Sequence, residues 1–457
     1  MDGNPTLTRR SLLAGTAGAL GATLTPAAAR ASVLEHLLAA SDPLAPKAPH
    51  FAPRAKQVIF LFMPGGVSHV DTFDPKPALE RDHEKSRGDH VLMRSRWGFA
   101  ARGESGIEIS ELFPHIGGQI DRACLIRSMT AQHGNHFEAV LGMHTGSTSF
   151  VRPSIGSWVS HALGTFNPNL PPFVVIAPHL PYAGEQVWGS DFLPACHQGV
   201  RLVPGDEPIP NVAPRVPTDV QERELALLQR LNERHRAGRE ADGELFARAR
   251  AYATARGMQR EAPEVFDLGR ESDAVLELYG LERGKTSGFA WQCLVARRLI
   301  ERGVRFVESI DVGASNNWDA HGDMKSHERL ARNVDRPIAA LLRDLGALGL
   351  LDETLVVWTT EFGRTPHSDK KNKKGRGHHR QAFSSWLAGA GVKPGFVYGA
   401  TDEHGYDVVE GRVGIHDFHA TLLHLLGLDH ERLTFRHAGR DFRLTDVGGR
   451  VVEEILA

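Results

Sequence analysis

The sequence predicts an α/β fold, a mostly parallel central sheet with helices on both faces. Three observations predict it. Short apolar runs recur without polar alternation, the pattern of strands buried on both sides. Amphipathic stretches with three- and four-residue spacing lie between those runs, as covering helices require. Histidines, acids and glycines then gather just past the apolar runs, where the carboxyl ends of parallel strands collect a ligand site.

The elements follow in chain order. Thr8-Arg9-Arg10-Ser11-Leu12-Leu13 has the paired arginines of a twin-arginine export signal, expected to span residues 1–31. Ala29-Arg30-Ala31 offers small residues before a cut at Ser32. The Gly- and Thr-rich stretch between is too short for a good membrane span, so the predicted location is periplasmic or secreted. Twin-arginine export carries folded proteins, which agrees with a cofactor loaded beforehand. Residues 32–55, rich in Ala and Pro, read as a linker, and the main domain is expected over 56–457.

Within that domain, residues 57–63 form an apolar run ending in Pro64-Gly65-Gly66, and further strands are predicted at 123–127, 173–177, 304–310, 354–359 and 384–388. Helical periodicity is read in part of 276–300, over 327–350 with a break at Pro337, and over 417–426 up to Gly427. Residues 218–275 carry no strand signal and read as a helical insertion, either a peripheral decoration or a cap over the site. Residues 368–377, with four lysines, read as a basic loop.

The composition excludes several function classes. A formal charge of −2 with 24% charged residues leaves no electrostatic footprint for nucleic acid. Cys124, Cys196 and Cys293 are too few and too far apart for a disulfide framework or a zinc motif.

The site is carried by the histidines, 24 in 457 residues. The first strand delivers Ser68, His69 and Asp71, and the strand at 123 delivers His133, Asn135 and His136. Asp311 and then Asn316-Asn317-Trp318-Asp319-Ala320-His321 follow the strand at 304, and Glu361 and Arg364 follow that at 354. His378 and His379 stand beyond the basic loop. Neutral imidazole and carboxylate are ligands of divalent metals. Asp319, His321, Glu361 and one of His378 and His379 are therefore expected to hold one or two ions, with His69 and Asp71 as further ligands. The mixed donors fit zinc, manganese, calcium or magnesium. His133, His136 and Arg364 are the catalytic candidates, with Arg364 clamping an anionic oxygen bidentately.

The motifs Gly65-Gly-Val-Ser-His-Val-Asp-Thr-Phe-Asp-Pro-Lys-Pro77, His144-Thr-Gly146, Thr359-Thr-Glu-Phe-Gly-Arg-Thr-Pro366, Gly377-His-His379 and Asp417-Phe-His-Ala-Thr-Leu-Leu-His-Leu-Leu-Gly427 carry a resemblance. From residue 56 onward the chain resembles a widespread group of twin-arginine-exported bacterial proteins of unknown function that share the alkaline phosphatase and sulfatase fold. The resemblance implies an acid at Glu361, a ligand histidine at His378 or His379, and an Asp–His pair matched by Asp319 and His321. It implies a nucleophile at a helix start upstream of a Thr-Gly pair, which falls on His136, a residue able to act as nucleophile, acid or ligand. The Cys-x-Pro-x-Arg signature of sulfatases is absent. The implied function is a metal-dependent hydrolase acting on a phosphate or sulfate ester. The alternative is a non-catalytic binding module on the same fold that holds a polysaccharide or protein partner.

Overall fold

Strand β1, Gln57–Phe62, shows why the sheet sits where it does. Ile59 and Leu61 enter one apolar cluster, while Val58, Phe60 and Phe62 enter another on the opposite face. A strand apolar from Val58 to Phe62 must be covered on both sides, because each exposed Leu, Ile or Phe forgoes about 1.5–3 kcal/mol of burial.

The computed structural model describes residues 42–239, 242–369, 371 and 374–457. The export signal at 1–31 and the first part of the expected linker lie outside the described residues. The rest of that linker does not hang free. Leu44 is buried, and the backbone amides of Arg54 and Ala55 donate to the Leu425 carbonyl.

Among the described residues the central sheet has nine strands. After β1 come β2 (Ala123–Thr130), β3 (Phe173–Ile176), β4 (Val200–Leu202), β5 (Phe306–Ile310), β6 (Thr354–Thr359), β7 (Phe383–Ala388), β8 (Phe396–Tyr398) and β9 (Val413–Gly414). Their spatial order is β8-β2-β7-β6-β1-β5-β3-β4, with β9 also beside β2. Every pairing is parallel except those of β7, which runs antiparallel to both β6 and β2. The fold is thus α/β with a mostly parallel sheet. The reversed strand was not foreseen, since its apolar run carries no mark of direction.

On one face pack helices α5 (Phe289–Glu301) and α6 (Ser326–Ala347), through Leu294, Leu299, Leu330, Val334, Ile338 and Leu341. On the other pack α1 (His136–Thr145), α2 (Ile155–Leu163) and α7 (Ile415–Leu425), through Val140, Met143, Trp158, Phe418 and Leu422. The break expected at Pro337 is absent, and α6 runs through it. A proline inside a helix removes one backbone bond, but Val334, Ile338 and Leu341 are buried around it and hold the turn in place.

The insertion is helical, with α3 (Thr218–Arg236) and α4 (Gly243–Phe266) in a hairpin. The second helix buries Met258, Ala262 and Val265 against the sheet, while no residue of the first is buried. All three cysteines are buried free thiols. No helix among the described residues is long and apolar enough to cross a membrane.

Candidate metal centre

Because β1, β2, β3, β5 and β6 run the same way, their carboxyl ends open on one side, and their loops build a single polar centre there. Asp319 is its hub. One carboxylate oxygen, Oδ2, lies 3.4 Å from His136 Nε2. The other, Oδ1, lies 3.2 Å from His321 Nε2 and 3.5 Å from His378 Nε2, and accepts a 2.6 Å bond from Arg364. The Asp319 backbone N–H is tied to Asn317 Oδ1 at 3.0 Å, which fixes the turn presenting the carboxylate. Burial works against the Asp319 charge, but the neighbouring imidazoles of His136 and His378 and the Arg364 charge outweigh it and hold the carboxyl below its usual range.

His136 is the first residue of α1. Its Nδ1 lies 2.6 Å from Glu361 Oε1, so the proton belongs on Nδ1 and Nε2 is left facing Asp319. That Nε2 is buried and has no hydrogen-bond partner. His378 is oriented the same way, with Nδ1 2.8 Å from the Gly134 carbonyl and Nε2 turned inward, 2.8 Å from His321 Nε2. Two ring nitrogens that close can share one proton but not carry two. The ligand atoms of His136, Asp319 and His378 all lie within 4.8 Å of one another. Tetrahedral ligands at about 2.0 Å from an ion sit about 3.3 Å apart, close to the carboxylate–imidazole separations found here.

Tyr182, in the loop after β3, lies flat on His136 with ring centroids 4.3 Å apart and planes 7° from parallel. Phe362 closes the inner side, 4.8 Å from His136 and 4.7 Å from His378.

Several expected residues stand elsewhere. Glu361 is fully buried behind His136, where it accepts from Gly65 N at 2.8 Å and from the Thr360 hydroxyl at 3.0 Å; it faces the imidazole rather than the cluster. Arg364 is expected to clamp a substrate oxygen, yet its nitrogens are already taken. They donate to the Gly65, Gly66 and Arg376 carbonyls and to Asp319. Asp71 is paired with the buried Arg376 at 2.7 Å and accepts from the Ser68 hydroxyl at 2.6 Å. His69 and His379 stack on each other, with centroids 6.0 Å apart, and bind the Gly405 and Tyr406 carbonyls. Burial lowers the His69 pKa to about 4, more than nearby Asp74 restores. His133 is half-exposed beside Glu138. Tyr182 was missed, although it follows a predicted strand just as the other site residues do.

The fold and the centre define an α/β protein with a histidine–carboxylate cluster at the carboxyl edge of its sheet. Over residues 55–456 the sequence matches the family of proteins of unknown function DUF1501, and the chain belongs to that family. No curated protein matches it significantly. Among solved structures it is similar to a sulfatase from Pseudoalteromonas sp. (13% identity, 89% of this chain and 73% of that one, TM-score 0.36). It is also similar to a protein in the alkaline phosphatase superfamily from Vibrio parahaemolyticus (9% identity, 87% and 76%, TM-score 0.38). A third is the lipoteichoic acid synthase LtaP from Listeria monocytogenes (9% identity, 90% and 80%, TM-score 0.37).

Proposed function

We propose that this chain is an exported, metal-dependent hydrolase of a phosphate or sulfate ester, built around one divalent ion held by His136, Asp319, His378 and His321. The observation that carries this reading is the buried Nε2 of His136, which lacks a partner and points at Asp319. A buried imidazole nitrogen left unpaired is costly, and a metal ion is the partner its surroundings suit.

Three imidazoles and one carboxylate form a nitrogen-rich set, which favours zinc or manganese over calcium or magnesium. One ion fits better than two. The flank of Asp319 that a second ion would use is filled by the Arg364 guanidinium, a fixed positive charge already bonded to three carbonyls. A bound ion would polarise an ester oxygen and activate water. The protein's own part is positional. Glu361 keeps the His136 proton on Nδ1, the Gly134 carbonyl does the same for His378, and the amino end of α1 favours an anion beside them.

A non-catalytic binding module is the second reading. It is favoured by the start of α1, which carries His136 where a hydroxyl or thiol nucleophile would stand.

Metal analysis of tag-free protein, stripped and reloaded with zinc or manganese, tests the proposal. The expected result is one ion per chain, lost in Asp319→Ala and His378→Ala, followed by turnover in a screen of phosphate and sulfate esters. No ion under any loading condition sinks the hydrolase. One ion without turnover of any ester leaves the binding module.

A further inference from the structure

The next inference rests on that reading and deepens it by naming how the ester group is held. Tyr182 carries it. Asn317 has its amide fixed end for end, because Oδ1 accepts from Asp319 N at 3.0 Å and Nδ2 donates to the Gly313 carbonyl at 3.1 Å. The same Nδ2 lies 3.1 Å from the Tyr182 hydroxyl, so the phenol oxygen is the acceptor in that bond. The phenol therefore keeps its own hydrogen, and no group among the described residues accepts it. A single hydroxyl hydrogen is left over on a ring stacked 4.3 Å from the imidazole at the heart of the cluster.

The side chains of Arg364, His136 and His378 are already committed. Arg364, the strongest donor nearby, has its nitrogens bonded to carbonyls and Asp319. The ring nitrogens of His136 and His378 that face away from the cluster are committed to Glu361 and Gly134. Beside the amino end of α1, a tetrahedral oxyanion bound at the ion would thus meet a neutral side-chain donor with a free hydrogen, held in place by the stack and by Asn317. We propose that Tyr182 is the substrate-binding donor of this site, giving its O–H to a non-ester oxygen of the bound phosphate or sulfate group.

Tyr182→Phe isolates the hydroxyl. The ring and its stacking remain, and Asn317 Nδ2 keeps the Gly313 carbonyl. Zinc-loaded wild type and variant are titrated calorimetrically with inorganic phosphate and with sulfate, with zinc content measured on both. The expected result is equal zinc content and at least one anion bound about tenfold or more weakly by the variant, the usual scale for one hydrogen bond to a charged group. Equal affinity in the two proteins overturns the role of Tyr182 and leaves the hydrolase standing. If wild type holds zinc but binds neither anion, the ester reading itself fails, and this inference with it.

Discussion

Glu361 offers the sharpest test of how the centre is layered. A ligand and a residue that merely orients a ligand respond differently to the same change. In Glu361→Gln the side chain keeps its length and one oxygen that can accept from His136 Nδ1 and Gly65 N, but it loses its charge. Removing such an outer partner lowers metal affinity about 10–100-fold, or about 1.4–2.7 kcal/mol. Glu361→Ala goes further. The Gly65 N–H and the His136 Nδ1–H both lose the carboxylate acceptor they now have, while the Thr360 hydroxyl keeps the Met63 carbonyl at 2.8 Å. At about 1–3 kcal/mol for each buried group left unpaired, the stability loss comes to about 2–6 kcal/mol before any metal is added. A competition titration against a chromophoric chelator reads the affinity, and urea unfolding of the stripped protein reads the stability. If Glu361→Gln abolishes zinc binding outright while the stripped protein unfolds at the wild-type urea concentration, Glu361 is a ligand and the layered arrangement is wrong.

Three further outcomes follow from the packing. Gly65 has φ +112°, and a Cβ there would come within 2.6 Å of the backbone nitrogens of Trp318 and Asp319; Gly65→Ala should push the Asp319 turn away and abolish zinc uptake, and a variant that loads normally would refute it. Asp71→Ala should cost about 3–5 kcal/mol by leaving Arg376 charged and buried, yet retain the ion, as should His379→Ala; zinc lost from either variant while it remains folded would put these residues back among the ligands. Burial pushes the His144 pKa down, but the Glu308 carboxylate 2.7 Å away, the Val140 carbonyl and Glu361 more than offset it, and the nearby His419 is kept neutral by its own burial, its pKa lowered to about 3. The net shift is upward, so the pair's stabilisation is complete below the unfolded value of about 6.5 and fades as pH rises through the folded one. Wild-type stability relative to Glu308→Gln should therefore fall as pH rises above about 6.5, and a urea-midpoint difference that stays flat or grows would contradict this.

Most of the sheet was legible because a strand buried on both faces is mostly apolar, and the six longer strands are, with a few polar exceptions such as Arg127, Glu308 and Ser385. The short edge strands β4, β8 and β9 were not, since three residues or fewer leave no run to see. The side of the sheet that carries the centre was legible for a topological reason: parallel strands present their carboxyl ends together, and the polar clusters follow those ends. The ranking of residues within the clusters was not. Asp71 and Asp319 look alike in sequence, each an acid beside a histidine in a loop. What separates them is a distant cation, Arg376, which claims Asp71 completely. Such a partner lies 305 residues away, and no local pattern announces it.

The pair His378–His379 shows how little more would have been needed. The two residues form a short antiparallel ladder with Gly363 and Arg364, in which Arg364 lies opposite His378 and Gly363 opposite His379. Neighbours along a strand point to opposite faces, and residues directly opposite share one. The side chain of Arg364 reaches Asp319, so His378 must face the centre and His379 must face away, into the space left by a glycine and beside His69. Gly363 is required by the same geometry, because a Cβ there would meet the Ala382 carbonyl at 2.3 Å and His69 Nδ1 at 2.7 Å. Parity therefore turns one histidine into the centre and the other into the scaffold. Exchanging their roles would need a one-residue slip of the ladder, which would also carry Arg364 off Asp319.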